Sequence, residues 1–150
     1  TTRGMTAMKA IEVFRGYDIV VVTHSTGFSA DNVQELTDEN RTVIEAAGTR
    51  VLTAQHAFGG VNRAVRRQLG TYELDEIIAY TLRIFGQGTK VCAEIALMAA
   101  DAGLVRTGEP CVAIGGTGRG ADTAVVLVPA NAQNFFDLRV MEVLAKPRLE

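Results

Sequence analysis

The sequence predicts an α/β fold, a three-layer α/β/α sandwich with a mostly parallel sheet and antiparallel strands at its C-terminal end. Two observations support this prediction. The run IVVVT, Ile19–Thr23, is almost continuously apolar, which is typical of a parallel strand buried on both faces. Helix-like and strand-like segments alternate along the first half of the chain, whereas strand-like segments follow one another near its end.

Four elements are predicted in the first third of the chain. Apolar residues recur with helical spacing before Gly16, a residue type that commonly ends helices. Thr37 is a favoured first residue of a helix, in which Val43, Ile44 and Ala47 are expected to face the interior. In order, the predicted elements are a helix over Thr6–Arg15, a strand over Asp18–Thr23, a helix from Thr37 to Ala47 and a strand over Arg50–Ala54.

The second part of the chain is richer in helices. After the pair Gly59-Gly60, a helix is predicted with Arg63, Arg66 and Arg67 on its exposed face. The next helix is amphipathic and is expected to bury the face formed by Leu74, Ile77, Ile78, Leu82 and Phe85. The predicted elements are helices over Val61–Leu69, Glu73–Phe85 and a largely buried Lys90–Ala102, two strands that flank a glycine-rich turn, and a strand near Arg139–Leu144.

The composition favours one globular domain over residues 1–148, with residues 149–150 as a cloning remnant. The 150-residue chain is 47% hydrophobic and carries a net charge of −2 without a strongly basic run, so nucleic acid is not an expected partner. Apolar runs such as AVVLV are too short to cross a membrane, and no signal peptide is visible. Cys92 and Cys111 lie in apolar segments, which indicates reduced thiols and a cytoplasmic protein. No metal motif is found.

The turn GGTGRGAD, which begins at Gly115, joins two apolar runs. A β-branched strand follows it, and Ala121 and Asp122 stand where a P-loop has Lys and Ser/Thr, so it matches neither common phosphate-binding motif. Two interpretations are open, namely an anion site between two strands or a wide hairpin. The residues of the predicted anion site are Gly115, Gly116, Thr117, Gly118, Arg119 and Gly120.

Other loops are expected at the sheet edge where ligands bind in open α/β folds. The loop TTRGMT enters the first helix, and a helix N-terminus attracts anions through its N–H groups and its dipole. Its anion-binding residues are predicted to be Thr1, Thr2, Gly4 and Thr6. The alternative is a helix cap made by threonines, with Arg3 in solvent. His24, Thr26, Gly27 and His56, in the loops after the first two strands, are expected to line the same ligand.

The same segments resemble the C-terminal α/β domain of pyruvate kinase. TTRGMTAMKAIEVFRGYDIVVVTH is similar to its phosphate loop, helix and strand, and CVAIGGTGRGADTAVVLVP to its closing strand, loop and strand. The resemblance is closer to a family of small stand-alone prokaryotic proteins, many of them archaeal and of unknown function, through FGQGTKVCAEIALMAADAG, GGTGRGADTAVVLVPA and NFFD. Those relatives begin with a strand, a helix and a strand that have no counterpart in this sequence.

The resemblance implies binding rather than chemistry. In pyruvate kinases this domain binds a phosphorylated effector, and the catalytic barrel has no counterpart here, so kinase activity is not expected. The resemblance assigns one phosphate to Thr1, Thr2, Arg3, Gly4 and Thr6, with the glycine-rich turn flanking the same ligand. Arg3 stands where the kinase loop usually has Ser, and the Trp-Arg-Pro of the effector loop is absent, which disfavours a sugar bisphosphate. The stand-alone relatives imply a ligand such as flavin mononucleotide (FMN).

Three functions fit these residues. The first is a small-molecule binding domain for a phosphorylated ligand, and the second is an enzyme that uses such a ligand, with His24, His56 or Glu94 as acid or base. The third, Thr1 as an N-terminal nucleophile, is disfavoured because such hydrolases need strand-rich layers. Exposed apolar helix faces predict a homo-oligomer.

Two groups of residues have a favoured structural interpretation. Lys90, Glu94 and Asp101 form a polar stripe on an apolar helix, and this stripe is expected to be a solvated face, although Glu94 facing a cleft is the alternative. Phe135 and Phe136 are expected to pack in the core rather than to wall a flat ring.

Overall fold

Two parallel strands near the start of the chain are present in the computed structural model, which describes residues 1–118 and 120–149. They belong to the first of two compact units, Thr1–Gln55. Its elements are helix α1 (Met5–Val13), strand β1 (Val20–Val22), helix α2 (Asp38–Ala46) and strand β2 (Arg50–Leu52). β1 and β2 pair in parallel with Val21 opposite Val51, which confirms the predicted parallel strands.

The core of the first unit forms where α1 and α2 cover the strands. Its buried members are Ala7, Val21, Leu36 and Ile44. Gly4 precedes α1 with a φ of 99°, and a Cβ there would lie 2.9 Å from Leu36 Cδ1 and 3.0 Å from Asn40 Cβ. Only glycine fits this backbone conformation and this spacing, so Gly4 sets how the loop enters α1.

Helix α2 begins as predicted, because the Thr37 hydroxyl accepts a hydrogen bond from the Asn40 N–H. Ile44 is completely buried, as expected. Val43 is 56% exposed and Ala47 is also exposed, so the prediction that both face inward was wrong. The residues of α2 that face Gly4 are Asn40, which is polar, and Ile44, one helical turn later. An apolar pattern could not identify Asn40 as an inward residue.

The second unit runs from His56 to the end of the chain. Its elements are α3 (Val61–Leu69), α4 (Leu74–Arg83), α5 (Gln87–Asp101), β3 (Cys111–Gly115), β4 (Thr123–Val128), a short 3₁₀ segment (Ala132–Asp137) and β5 (Arg139–Ala145). The three strands form an antiparallel sheet in the order β3-β4-β5, with Cys111 opposite Leu127. The predicted antiparallel strands are therefore confirmed, and the chain as described is mixed α/β.

Helix α5 is the centre of the second unit, and its predicted burial is confirmed. One side packs on the sheet through Cys92, Ala96, Ala113, Val125 and Leu127. Another side packs on the α4 region through Ala93, Leu97, Phe58 and Ala79. Within the described residues, no helix combines the length and the apolar character needed to cross a membrane.

Helix α4 is oriented differently from the prediction. Ile78 and Leu82 pack on the core, but Leu74, Ile77 and Phe85 are 68%, 53% and 56% exposed. The small Ala79 side chain lies against α5 instead, which turns the helix and buries Glu76 on the neighbouring side. Hydrophobicity alone could not predict this orientation of α4, because the residue that packs closely on α5 is Ala79, the smallest apolar residue of the helix.

The aromatic pair of the 3₁₀ segment divides between core and solvent. Phe135 meets Phe58 edge-on with ring centres 5.9 Å apart, so its predicted core packing is confirmed. Phe136 is 83% exposed, so the same prediction was wrong for this residue. Adjacent residues in such a short segment point in different directions, and only one of them reaches the core.

We expect Gly88→Ala to lower the free energy of unfolding by about 1–3 kcal/mol, the range typical of overpacking. Gly88 lies in the first turn of α5, where a Cβ would be 2.0 Å from Thr123 Oγ1 and 2.7 Å from Asp122 Oδ1. Urea denaturation measures the change. Gly118→Ala is the matched control, because a Cβ there meets nothing within 4 Å. Equal stability of the two variants would contradict close packing of α5 on β4.

Candidate functional site

The threonine loop lies at the carboxyl end of β1. The Thr1 amino nitrogen donates a hydrogen bond to the Val22 carbonyl oxygen at 2.6 Å. Gly4 occupies the N-cap position of α1, no side chain makes a capping hydrogen bond there, and the first turn contains no acidic residue. The alternative of a threonine helix cap is therefore not observed. Arg3 is exposed, as that interpretation expected, whereas Thr2 and Thr6 are half-buried.

A second group of polar residues follows β1 and β2 in the same unit. The hydroxyl oxygens of Thr23 and Thr53 are 2.8 Å apart. Arg41 donates to Thr53 Oγ1 at 3.0 Å and pairs with Glu45 at 2.9 Å. Arg41 was not among the site residues predicted from the sequence. Its pairing with Glu45 four residues later is readable from the sequence, but its contact with Thr53 depends on the packing of α2 against β2.

His24, Thr26 and Gly27 lie together in the loop between β1 and α2. His24 Nδ1 is 2.7 Å from Glu35 Oε2, and its ring lies 4.1 Å from the ring of Phe28. Gly27 adopts a φ of 83°, which makes a tight turn possible. These contacts order the loop, and a ligand-binding role for the three residues stays a prediction.

The glycine-rich turn contains a carboxylate of its own. Thr117 donates to Asp122 Oδ2 from its backbone N–H at 3.0 Å and from its hydroxyl at 2.5 Å. The Thr123 hydroxyl donates to the other Asp122 oxygen at 2.6 Å. These hydrogen bonds from Thr117 and Thr123 lower the pKa of Asp122. The Thr117 N–H thus already holds an internal anion.

Two glycines of the turn are needed for packing. A Cβ on Gly115 would lie 3.0 Å from the Gly88 carbonyl oxygen, and one on Gly116 would lie 2.1 Å from the Gly120 carbonyl oxygen. Gly118 faces open space. Arg119 lies outside the described residues. The hairpin interpretation accounts for Gly115 and Gly116, and an anion site at this turn stays a prediction.

A buried ion pair lies on α5, where the sequence favoured a solvated face. Lys90 Nζ and Glu94 Oε2 are 2.5 Å apart, and both residues are 4% exposed, so that prediction was wrong for these two. Asp101, in the last turn of the helix, is exposed as expected. The stripe is divided because packing covers the first two turns of α5 on several sides, whereas its end reaches solvent.

The buried pair is held by its surroundings. Glu94 Oε1 accepts a hydrogen bond from the Phe58 N–H at 3.1 Å, and His56 Nδ1 lies 3.9 Å from Glu94 Oε2. Burial lowers the pKa of Lys90, the Glu94 carboxylate opposes this, and the positive charges of Arg83 and Arg63 lower it further. His56 and Glu94, both candidate acids or bases from the sequence, therefore lie close together.

The arginines of α3 are not a solvated face. Arg63 and Arg66 are half-buried, so their predicted exposure was wrong, whereas Arg67 is exposed as expected. A cavity of about 240 Å³ lies between α3 and α4. Its charged and hydroxyl-bearing lining comprises Arg63, Arg66, Arg67, Glu76, Tyr80 and Arg83. The sequence shows the basic residues, but the cavity exists only because α4 turns Glu76 and Arg83 towards α3.

Cys92 has no nucleophilic character in this fold. It is completely buried, and its Sγ–H donates to the Ala113 carbonyl oxygen at 3.3 Å. Burial and the Asp122 carboxylate raise its pKa to about 12, so the reactive thiolate is scarce at neutral pH. Cys92 and Cys111 form no disulfide with each other, and Cys111 is half-buried.

The sequence matches none of the models of known protein families with which it was compared. Across residues 1–118 and 120–149, no group of three or more His, Cys, Asp or Glu side chains is placed to hold a metal ion. Residue chemistry and geometry are therefore the basis for assigning a function to this chain.

We expect Glu94→Gln to lower the free energy of unfolding by about 3–5 kcal/mol, because it leaves the Lys90 ammonium buried without its counter-charge. Replacing both residues with methionine should recover much of this loss. Urea denaturation at pH 7 measures both variants. The control is Glu109→Gln, at the exposed ion pair with Arg106, which should change stability by less than about 0.5 kcal/mol.

The loss in the free energy of unfolding caused by Glu94→Gln should become smaller as the pH rises. Between its lowered folded pKa and its ordinary value of 10.5, Lys90 binds more protons in the unfolded chain, so stability increases with pH across that range. Removing the Glu94 carboxylate lowers the pKa of Lys90 in the folded state further, so the pH range over which stability increases becomes wider. A deficit that is constant from pH 7 to pH 10, or wild-type stability at pH 7, would contradict a buried charged pair.

Proposed function

We propose that this protein is a small-molecule binding domain for a phosphorylated ligand, without kinase activity, and that FMN is such a ligand. The phosphate would bind at the start of α1 in the first unit. The observation that carries the proposal is the N-terminus of α1, which has no side-chain cap and lies beside the carboxyl end of β1.

The chemistry of the loop supports a phosphate at this position. The first N–H groups of a helix have no intrahelical partner, and the helix dipole adds a partial positive charge. No acidic residue in the first turn of α1 competes for them. Thr2 and Thr6 bring hydroxyl donors that are half-buried rather than fully solvated. Gly4 packs closely against Leu36 and Asn40, which sets the position of the first turn of α1.

Arg41 adds support from the same unit. Asn40, its neighbour on α2, donates to the Arg3 carbonyl oxygen at 2.7 Å, so this turn of α2 lies next to the threonine loop. The Arg41 guanidinium is 30% exposed and retains donors beyond those that contact Glu45 and Thr53. A guanidinium is well suited to bind phosphate oxygens in pairs.

The glycine-rich turn of the second unit, with Arg119 as its expected cation, remains a further predicted contact for a phosphorylated ligand. The likeness to the pyruvate kinase C-terminal domain, and the three-layer sandwich that it implies, belong to the same proposal. The residues of the two loops support it, since each loop combines glycines with hydroxyl and guanidinium groups.

The second candidate function is an enzyme that uses the phosphorylated ligand. The buried arrangement of His56 beside Glu94, itself paired with Lys90, favours this candidate, because such environments tune groups for proton transfer. Chromatography of FMN after prolonged incubation tests whether FMN is the substrate of such an enzyme. Conversion of FMN that is lost in His56→Ala supports an enzyme that acts on FMN, whereas recovery of unchanged FMN contradicts this reaction.

FMN should bind at least about tenfold more tightly than riboflavin, which has the same ring without the phosphate. A hydrogen bond to a charged group contributes about 1.5–3 kcal/mol, and about 1.4 kcal/mol corresponds to a factor of ten. Titration monitored by flavin fluorescence measures both affinities. Equal affinity for the two flavins would refute phosphate recognition.

The position of the phosphate is tested by the same titration. Thr6→Val and Arg41→Gln should each weaken FMN binding about tenfold and leave riboflavin binding unchanged. Thr42→Val is the matched control, because it removes a threonine hydroxyl of the same unit that only bonds to the Asp38 carbonyl oxygen within α2. If Thr6→Val behaves like Thr42→Val, the phosphate does not bind at α1.

We also propose that the chain self-associates through the exposed apolar positions of α4. Leu74, Ile77 and Ile84 recur along one side of this region and are 68%, 53% and 68% exposed. Light scattering should show an oligomer that Ile77→Lys converts to a smaller species. Lys9→Ala, at an exposed ion pair of α1, should leave the mass unchanged. A monomeric wild-type chain would refute self-association.

A further inference from the structure

The cavity between α3 and α4 has a large excess of positive charge. Four guanidinium groups and one carboxylate line it, which leaves a formal charge of +3. Glu76 Oε1 lies 3.3 Å from Arg66 Nε, so the one carboxylate is already engaged with one of the four arginines. Clustered like charges in a partly enclosed site repel one another strongly, and a bound anion would relieve this repulsion.

Two of these arginines, Arg66 and Arg83, also contact neutral groups, which position a guanidinium without cancelling its charge. The Arg83 guanidinium lies 5.0 Å above the Tyr80 ring, and its Nε donates to Gln87 Oε1 at 2.6 Å. The Arg66 guanidinium lies 5.5 Å above the Tyr72 ring. Stacking uses the flat face of a guanidinium and leaves its N–H edge available for oxygen acceptors. The site is therefore partly organised before any ligand binds.

Glu76 is a buried carboxylate with one unsatisfied oxygen. The residue is 6% exposed, and its Oε2 atom has no hydrogen-bond partner in the described structure. A fully hydrogen-bonded structural ion pair would not leave this atom unpaired. Its negative charge holds Arg66 but opposes any anion in the cavity, so Glu76 limits how tightly an anion binds.

The positive field reaches the buried ion pair on α5. Arg63 and Arg83 both act to lower the pKa of Lys90, which indicates that their charges are felt inside the unit. Phe58, which lines the cavity, also lies 5.7 Å from Lys90 Nζ. An anion in the cavity would offset part of this repulsion, so binding should also stabilise the fold.

The size of the cavity limits the ligand. Its volume of about 240 Å³ is below the ~300–1,000 Å³ of sites for drug-sized molecules. We propose that this cavity, which is lined by residues of the second unit, is a second anion site and that it binds a compact diphosphate group. A diphosphate carries about three negative charges at neutral pH and offers paired oxygens to several guanidinium groups.

Calorimetric titration of the whole chain with inorganic pyrophosphate tests the proposal. Pyrophosphate should bind at least tenfold more tightly than inorganic phosphate or sulfate at the same ionic strength. Titration with ADP separates two sources of the diphosphate. Tighter binding of ADP identifies the end group of a nucleotide, and tighter binding of pyrophosphate identifies the free ion. Equal affinity for pyrophosphate and phosphate would overturn the proposal.

Variants locate the site and provide an outcome that a folding defect cannot imitate. Arg67→Gln and Arg83→Gln should weaken pyrophosphate binding at least fivefold, and Arg67 is exposed, so its replacement leaves the fold intact. Glu76→Gln should strengthen binding at least threefold, because it removes the opposing charge. Arg106→Gln is the matched control, an 84% exposed arginine of the same unit, and should bind as wild type. Weaker pyrophosphate binding by Glu76→Gln would overturn the assignment. Equal losses of pyrophosphate affinity in Arg106→Gln and Arg67→Gln would also overturn it.

Discussion

The buried ion pair between Lys90 and Glu94 is the interaction on which the second unit depends. Removing two charges from water costs several kcal/mol per ion, and the pair persists only where geometry and further hydrogen bonds compensate. Glu94 meets this requirement by accepting the Phe58 N–H. Because Phe58 also packs with Ala79 and Leu97, the pair links α5 to the segment that leads into α3. The pair therefore holds Phe58, three residues before the start of α3, against α5.

Three polar clusters of the second unit differ in how their positive and negative charges are matched. In the glycine-rich turn, Asp122 supplies an internal anion to the Thr117 N–H and hydroxyl. On α5, Glu94 supplies one to Lys90. In the cavity between α3 and α4, a single carboxylate faces four guanidinium groups. Among the described residues of these three clusters, a deficit of negative charge is found in the cavity, and this supports the anion site proposed there. The start of α1, in the first unit, likewise has no internal anion.

The bounds of the helices and strands could largely be predicted from the sequence, whereas the buried face of a helix could not. Helix α3 has the predicted bounds, Val61–Leu69, and β5 extends the predicted strand by one residue to Ala145. These features depend on local signals: glycines at helix ends, β-branched runs and helical spacing. The buried face of α4 was wrong at Leu74, Ile77 and Phe85, because packing on α5 selected Ala79. The threonine loop could be predicted as a polar helix start, but its contact with Val22 could not.

Short-range propensity and hydrophobic periodicity specify the mixed α/β class, the parallel and antiparallel strand pairs, the Thr37 cap and the buried state of α5, so these features could be predicted from the chain alone. The joint burial of Lys90 and Glu94 and the contact of Arg66 with Glu76 depend instead on how distant segments pack. A polar residue on a helix gives the same sequence pattern whether its side chain faces water or a buried partner. The difference arises when distant segments pack, since burial and charge pairing are properties of three-dimensional neighbours rather than of neighbours along the chain.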